Sequence, residues 1–261
     1  MAGLIFGVIG LAQSPRAILD QAIDDFSAGR LSESVSGFDE VATLVPSVAP
    51  QLWQRGIALY YVGRYQDCRE MFESHRLVNP NDVENAAWHF LCVARQESPT
   101  AALTALLPVG PDSRMPMTEI YRMFRNDLLP DDVIEAAQQA PSRVRERALF
   151  YAHLYVGLYY EAIGSDTAAR GHLVSAAEIR MLGSVAICTR WLACMWTSSI
   201  HDKTSTTFLR SPAILRITWC RPCFACRNSV GLCVHQLSCY GFVRAGTGGF
   251  NSQNRTIGGE A

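Results

Sequence analysis

The chain has 261 residues, 49% of them hydrophobic and 18% charged, with a formal net charge of −1. That is enough apolar material for one or two domains with a real core, and it excludes a chain wholly disordered for want of hydrophobic residues. The near-neutral total conceals a division: residues 1–180 carry fifteen Arg and twenty-two acidic residues, a net of −7, whereas residues 181–261 carry seven Arg, one Lys and two acidic residues, a net of +6. An acidic body repels phosphate, so no nucleic-acid partner is expected.

Ala2 to Ala12 form an apolar run too short to cross a bilayer, and Gly10-Leu11-Ala12 place small residues where a signal peptidase cleaves. Residues 1–13 are therefore expected to act as a cleaved export signal, although no Lys or Arg precedes the run. The mature chain would then be secreted or periplasmic; without such a signal it would stay in the cytoplasm. Ser14-Pro15 next supply an N-cap and a proline at the first helical position.

From there the sequence repeats. Gly29-Arg30-Leu31-Ser32-Glu33 returns as Gly63-Arg64-Tyr65-Gln66-Asp67, Phe38 answers Phe72, and Pro46 answers Pro80, each pair thirty-four residues apart. A period of that length marks a helix-turn-helix unit that must stack on a neighbour to bury its apolar face. The first unit pairs a helix over Ala17–Ala28 with one over Leu31–Leu44. In the second, Gly56 permits close helix approach and Gly63 ends a helix in a left-handed cap, while Cys68 and His75, larger than the usual alanines, should loosen or reshape the packing. A third unit starts at Asn81-Asp82, holds Trp88, Phe90 and Leu91 in its first helix, and has a short second helix over Pro99–Leu107. Met117–Phe124 and Asp131–Ala137 read as a degenerate hairpin. The pattern returns over Phe150–Ala177, where Gly157 and Gly164 repeat the spacing of seven between Gly56 and Gly63.

Leu52-Trp53-Gln54-Arg55-Gly56-Ile57-Ala58-Leu59-Tyr60-Tyr61, Val78-Asn79-Pro80-Asn81-Asp82, Trp88-His89-Phe90-Leu91-Cys92, and the run from Phe150 to Ala162 resemble a small family of tetratricopeptide proteins. That family occurs in bacteria with export signals and in plastid-bearing eukaryotes, has no assigned biochemical role, and is matched over about residues 14–180. More distantly, the chain is similar to periplasmic tetratricopeptide lipoproteins that serve as adaptors for cell-envelope hydrolases, though it has no lipobox cysteine near residue 12. The resemblance implies an all-α fold, a right-handed superhelix of stacked hairpins, and an adaptor function.

Members of that family end in a helix resembling Gly-Gly-Tyr-Met-His-Ala-Val-Ala-Arg-Val-His-Val-Asp, which this reading frame lacks. Back-translating Ser184–Thr197 and shifting by two bases recovers the string. Residues 181–261 are therefore expected to be an out-of-frame product or a disordered tail. Cys220, Cys223, Cys226, Cys233, His235 and Cys239 offer thiols and an imidazole, but their spacing suits neither a ferredoxin nor a zinc ribbon, so no metal is expected. Arg190 in the middle of the apolar stretch Met181–Ile200 argues against a membrane span.

In such a stack the first helix of each hairpin lines a concave face. By register, Trp53, Ile57, Tyr60 and Tyr61, then Ala87, Leu91 and Arg95, then Leu154, Leu158 and Glu161 border it. Trp, Tyr and Arg dominate binding hot spots, and a protein or peptide partner is expected there. Against this, Trp53, Trp88, Tyr155, Tyr159 and Tyr160 at helical spacing are also what a core requires. His89 and Cys92 share a helix face and His153 recurs later, yet no third orienting group, oxyanion hole or phosphate loop accompanies them. Neither catalysis nor a cofactor is expected. With only Cys68 and Cys92 in the repeat region, no disulfide framework is expected there either. A stack lacking its terminal cap should expose Leu154 and Leu173, which would favour homo-oligomers through the C-terminal edge and leave a purely structural, self-associating domain as the alternative function.

Overall fold

In the computed structural model, which describes residues 13–179, helices follow one another, joined by tight turns and by longer segments over 76–82 and 105–116. They are α1 (Pro15–Ser27), α2 (Leu31–Leu44), a 3-10 turn (Pro46–Gln51), α3 (Trp53–Tyr61), α4 (Tyr65–His75), α5 (Val83–Gln96), α6 (Pro99–Thr104), α7 (Met117–Phe124), α8 (Pro130–Gln138), α9 (Ser142–Ala162) and α10 (Asp166–Glu178). No strand occurs among the described residues, which are all-α. The expected signal segment, up to residue 12, and the cysteine-rich tail, from residue 180, lie outside the described residues.

Three hairpins close through the same turn. At Gly29, Gly63 and Gly164 the backbone enters the left-handed region with φ of 79°, 79° and 80°, which glycine adopts without a steric penalty. At each, the glycine N–H bonds a carbonyl three residues back and the next N–H one five back: Gly63 to Tyr60 and Arg64 to Leu59, Gly164 to Glu161 and Ser165 to Tyr160. These are the paired bonds of a Schellman cap, which satisfy the last carbonyls of the first helix and reverse the chain. Asn126, at φ 63°, makes the corresponding turn between α7 and α8.

The third unit departs from the pattern. Glu97, thirty-four residues after Gly63, is not in the left-handed region, and α5 ends there with Ser98 capping α6 through a 3.1 Å bond from the Ala101 N–H. The second helix of this unit stops at Thr104, short of the expected Leu107. Pro108 disfavours helical backbone at Leu107, whose carbonyl instead accepts from the Tyr121 hydroxyl at 3.1 Å. Conversely, α9 starts at Ser142, eight residues before the expected Phe150.

Helix α5 sits at the centre. It packs against α3, α4, α6, α7 and α9, and every residue from Asn85 to Ala94 is buried. A helix buried all round reads as core rather than as an open face. Its hold on α4 is covalent: Cys68 and Cys92, both fully buried with Cα atoms 5.9 Å apart, form a disulfide. This corrects the expectation that no disulfide framework occurs in the repeat region. His75 is accommodated as well, its Nδ1 lying 2.7 Å from the Pro50 carbonyl. A further correction concerns the last hairpin, where Leu154 and Leu173 are buried rather than exposed, Leu173 lying against Gly157.

Candidate functional site

The C-terminal ends of α3, α5 and α9 converge, as the contacts of Tyr60 and Arg95 with Glu161 show. Tyr60, in the last turn of α3, is the hub. Its ring meets Tyr61, Tyr65 and Trp88 edge-on, with centroids 5.3, 5.8 and 5.6 Å away, and its hydroxyl donates to Glu161 Oε2 at 3.4 Å, across 101 residues of sequence. Glu161 Oε1 also lies 3.7 Å from the Arg95 guanidinium. Arg95 donates in turn to the Tyr65 hydroxyl at 3.3 and 3.4 Å and stands 5.7 Å from the centre of that ring.

Burial sorts the expected contact residues into two groups. Ile57, Tyr60, Leu91 and Leu158 are 3%, 4%, 0% and 0% exposed, so they form the wall behind the surface and offer no direct contact, and Ala87 and Leu154 are buried with them. The expectation that these line an open groove is corrected: the central helix has no free face on which Leu91 could be presented. Trp53, Tyr61 and Glu161 are half-buried and Arg95 is exposed. Tyr65, which the register assigned to a second helix and thus away from the concave face, joins them. Its signal in the sequence was its place directly after the Gly63-Arg64 turn, at the level of the helix ends.

Electrostatics keep the cluster neutral and protonated where it is buried. Burial and the Glu161 carboxylate push the Tyr60 and Tyr61 phenols above the ordinary tyrosine range. The Tyr61 hydroxyl is buried without a hydrogen-bond partner. Burial works against the charge on Arg95, but Tyr65, Tyr60 and Glu161 outweigh it and hold the guanidinium firmly protonated.

Three other polar groups lie apart. Arg114, in the segment before α7, pairs with Glu84, and reaches Asp82 and Asp112 at 2.6 Å each, while the Tyr155 hydroxyl of α9 donates to Glu84 at 2.6 Å. His89 Nε2 faces Glu73 at 3.3 Å and its buried Nδ1 is unpartnered. His153 and His172 face each other through Nδ1 atoms 3.1 Å apart. Because Cys92 is bonded to Cys68, the Cys-His pairing that the sequence raised holds no thiol. Among the described residues there is no group of three or more His, Cys, Asp or Glu arranged to hold a metal, and no helix long and apolar enough to cross a membrane. No family model matches the chain.

Proposed function

We propose that the protein is an interaction scaffold: an α-solenoid of tetratricopeptide type, wound as a right-handed superhelix, that holds a protein or peptide partner at the helix-end surface formed by Trp53, Tyr61, Tyr65, Arg95 and Glu161. The observation that carries this reading is the Arg95 guanidinium, exposed and poised between Tyr65 of α4 and Glu161 of α9 above a rigid aromatic floor. Arg and Tyr preorganised in this way lose little entropy on binding, and they are the side chains that most often carry interface energy. Export is proposed with it, and a disulfide between α4 and α5 is the chemistry of an oxidising compartment.

The test compares affinity capture by the full chain with that by Arg95→Ala and Trp53→Ala. A partner captured by the parent and lost by both, with helical circular dichroism unchanged, supports the scaffold. Identical capture by all three removes this surface from consideration. The self-associating alternative draws on exposed Ile163 and Val174 at the last hairpin, and predicts a dimer by light scattering that Val174→Glu dissolves.

A further inference from the structure

We propose that the His153–His172 pair is a pH-sensitive latch that holds α10 against α9 at neutral pH and releases it on acidification. The proposal stands on the geometry of the two rings and does not depend on the surface described above being a partner site.

His153 projects from α9 and His172 from α10, both half-buried in the interface of the last hairpin. Their Nδ1 atoms are 3.1 Å apart and their ring centroids 5.3 Å apart, so the centroids are separated by only 2.2 Å more than the nitrogens. That excess is about twice the radius of an imidazole ring, which means that the nitrogens lie between the rings and meet nearly head-on. Two lone pairs converging on a cation would bring the rings together at an angle, with closer centroids. Head-on nitrogens at this distance are those of one N–H···N hydrogen bond, with one ring donating and the other accepting.

Such a bond has room for a single proton in the gap. A first added proton goes to the outer Nε2 of the donor ring and leaves the bond intact. A second has only the acceptor's Nδ1 to bind, and it would set two N–H groups and two positive charges face to face. Among the described residues little offsets this. Asp131 at the start of α8 favours a charged His172, Tyr160 stacks on His172 with centroids 5.7 Å apart, and no charged group of α5 or α7 acts on either ring. Burial lowers the proton affinity of both rings, and His172 lowers that of His153 further.

The sign follows from linkage. In the unfolded chain both imidazoles take up a proton near pH ~6.5. The closed hairpin binds at least one fewer, so its stability is complete above that pH and is lost as the pH falls below it. The ratio of closed to open hairpin should fall by about tenfold per pH unit, one proton's worth, below pH ~6.5. Because Glu161 lies on α9, opening would also loosen its hold on Arg95 and Tyr60.

The test is hydrogen exchange of the full chain between pH 7.5 and 5, corrected for intrinsic rates, with the α1–α2 hairpin as internal reference because it contains no histidine. Protection of α9 and α10 should drop about tenfold per unit relative to that reference, and His172→Phe, which keeps the ring against Tyr160, should make the drop markedly shallower. Equal pH dependence in both hairpins, or an unchanged drop in His172→Phe, overturns the latch. Should that variant fail to fold, the imidazole proton resonances of the parent decide. One of the two rings staying neutral below the unperturbed range while the hairpin is protected supports the proposal; both protonating near pH ~6.5 in a protected hairpin refutes it.

Discussion

Gly56 and Gly157 hold the same place in their hairpins, yet a methyl group added at each meets a different obstacle. At Gly56 it would lie 2.6 Å from the rim of the Phe72 ring, and at Gly157 it would lie 2.6 Å from Leu173 Cγ and 3.2 Å from the Leu173 backbone nitrogen. A ring rim can tilt away, whereas backbone moves only if the helix moves. Gly157→Ala should therefore cost about 2–3 kcal/mol and Gly56→Ala about 1–2 kcal/mol, measured by chemical denaturation. Gly63→Ala has open space around it and should cost only the left-handed backbone, about 1 kcal/mol. Asp39 sets a second expectation at this scale. Burial pushes its carboxyl up, but hydrogen bonds from Arg64 and Arg55 at 2.6 and 2.7 Å outweigh burial and hold it below the usual carboxylate range. A lowered carboxylate stabilises the fold above its unfolded pKa and ceases to do so as pH falls through the folded value. Asp39→Asn should thus cost about 1 kcal/mol at neutral pH, the partial exposure of the pair being allowed for, and progressively less as the pH falls below the usual carboxylate range, as paired denaturation curves would show.

Helices α4 and α5 are tied by the Cys68–Cys92 bond across 24 residues, a loop whose closure entropy is worth about 3 kcal/mol. Reduction, or Cys68→Ala with Cys92→Ala, should lower the unfolding free energy by about that amount, read as a shift of the urea midpoint with and without reductant. At this scale most of the architecture was legible. The glycine turns announce α1–α2, α3–α4 and α9–α10, since a residue with φ > 0 at fixed spacing is a local requirement that composition reveals. Where legibility failed, a non-local partner decided. The disulfide depends on α4 and α5 packing with Cys68 facing Cys92, which spacing along the chain does not encode.

The molecule as a whole is held by a few polar links between elements far apart in sequence. Tyr155 on α9 donates to Glu84 at the start of α5, and Glu84 is protonated more readily than usual because it is buried beside Asp82. Removing that donor leaves a half-buried carboxylate short of a partner, so Tyr155→Phe should cost about 1–2 kcal/mol and unfold α9 together with α5 in a single transition. Two separate transitions by circular dichroism and tyrosine fluorescence would show that the link is not structural. The order of amino acids by itself determined that this protein is a series of helical hairpins, because helix period, cap residues and left-handed glycines act within a few residues of one another. It also brought Trp53, Tyr61, Arg95 and Glu161 forward, but among ten residues expected to border one face and with nothing to tell them from the other six. Only the tertiary structure decided that Ile57, Tyr60, Leu91 and Leu158 lie behind that surface, that Tyr65 belongs to it, and that two histidines meet nose to nose, for burial and pairing depend on which neighbouring helix covers each face.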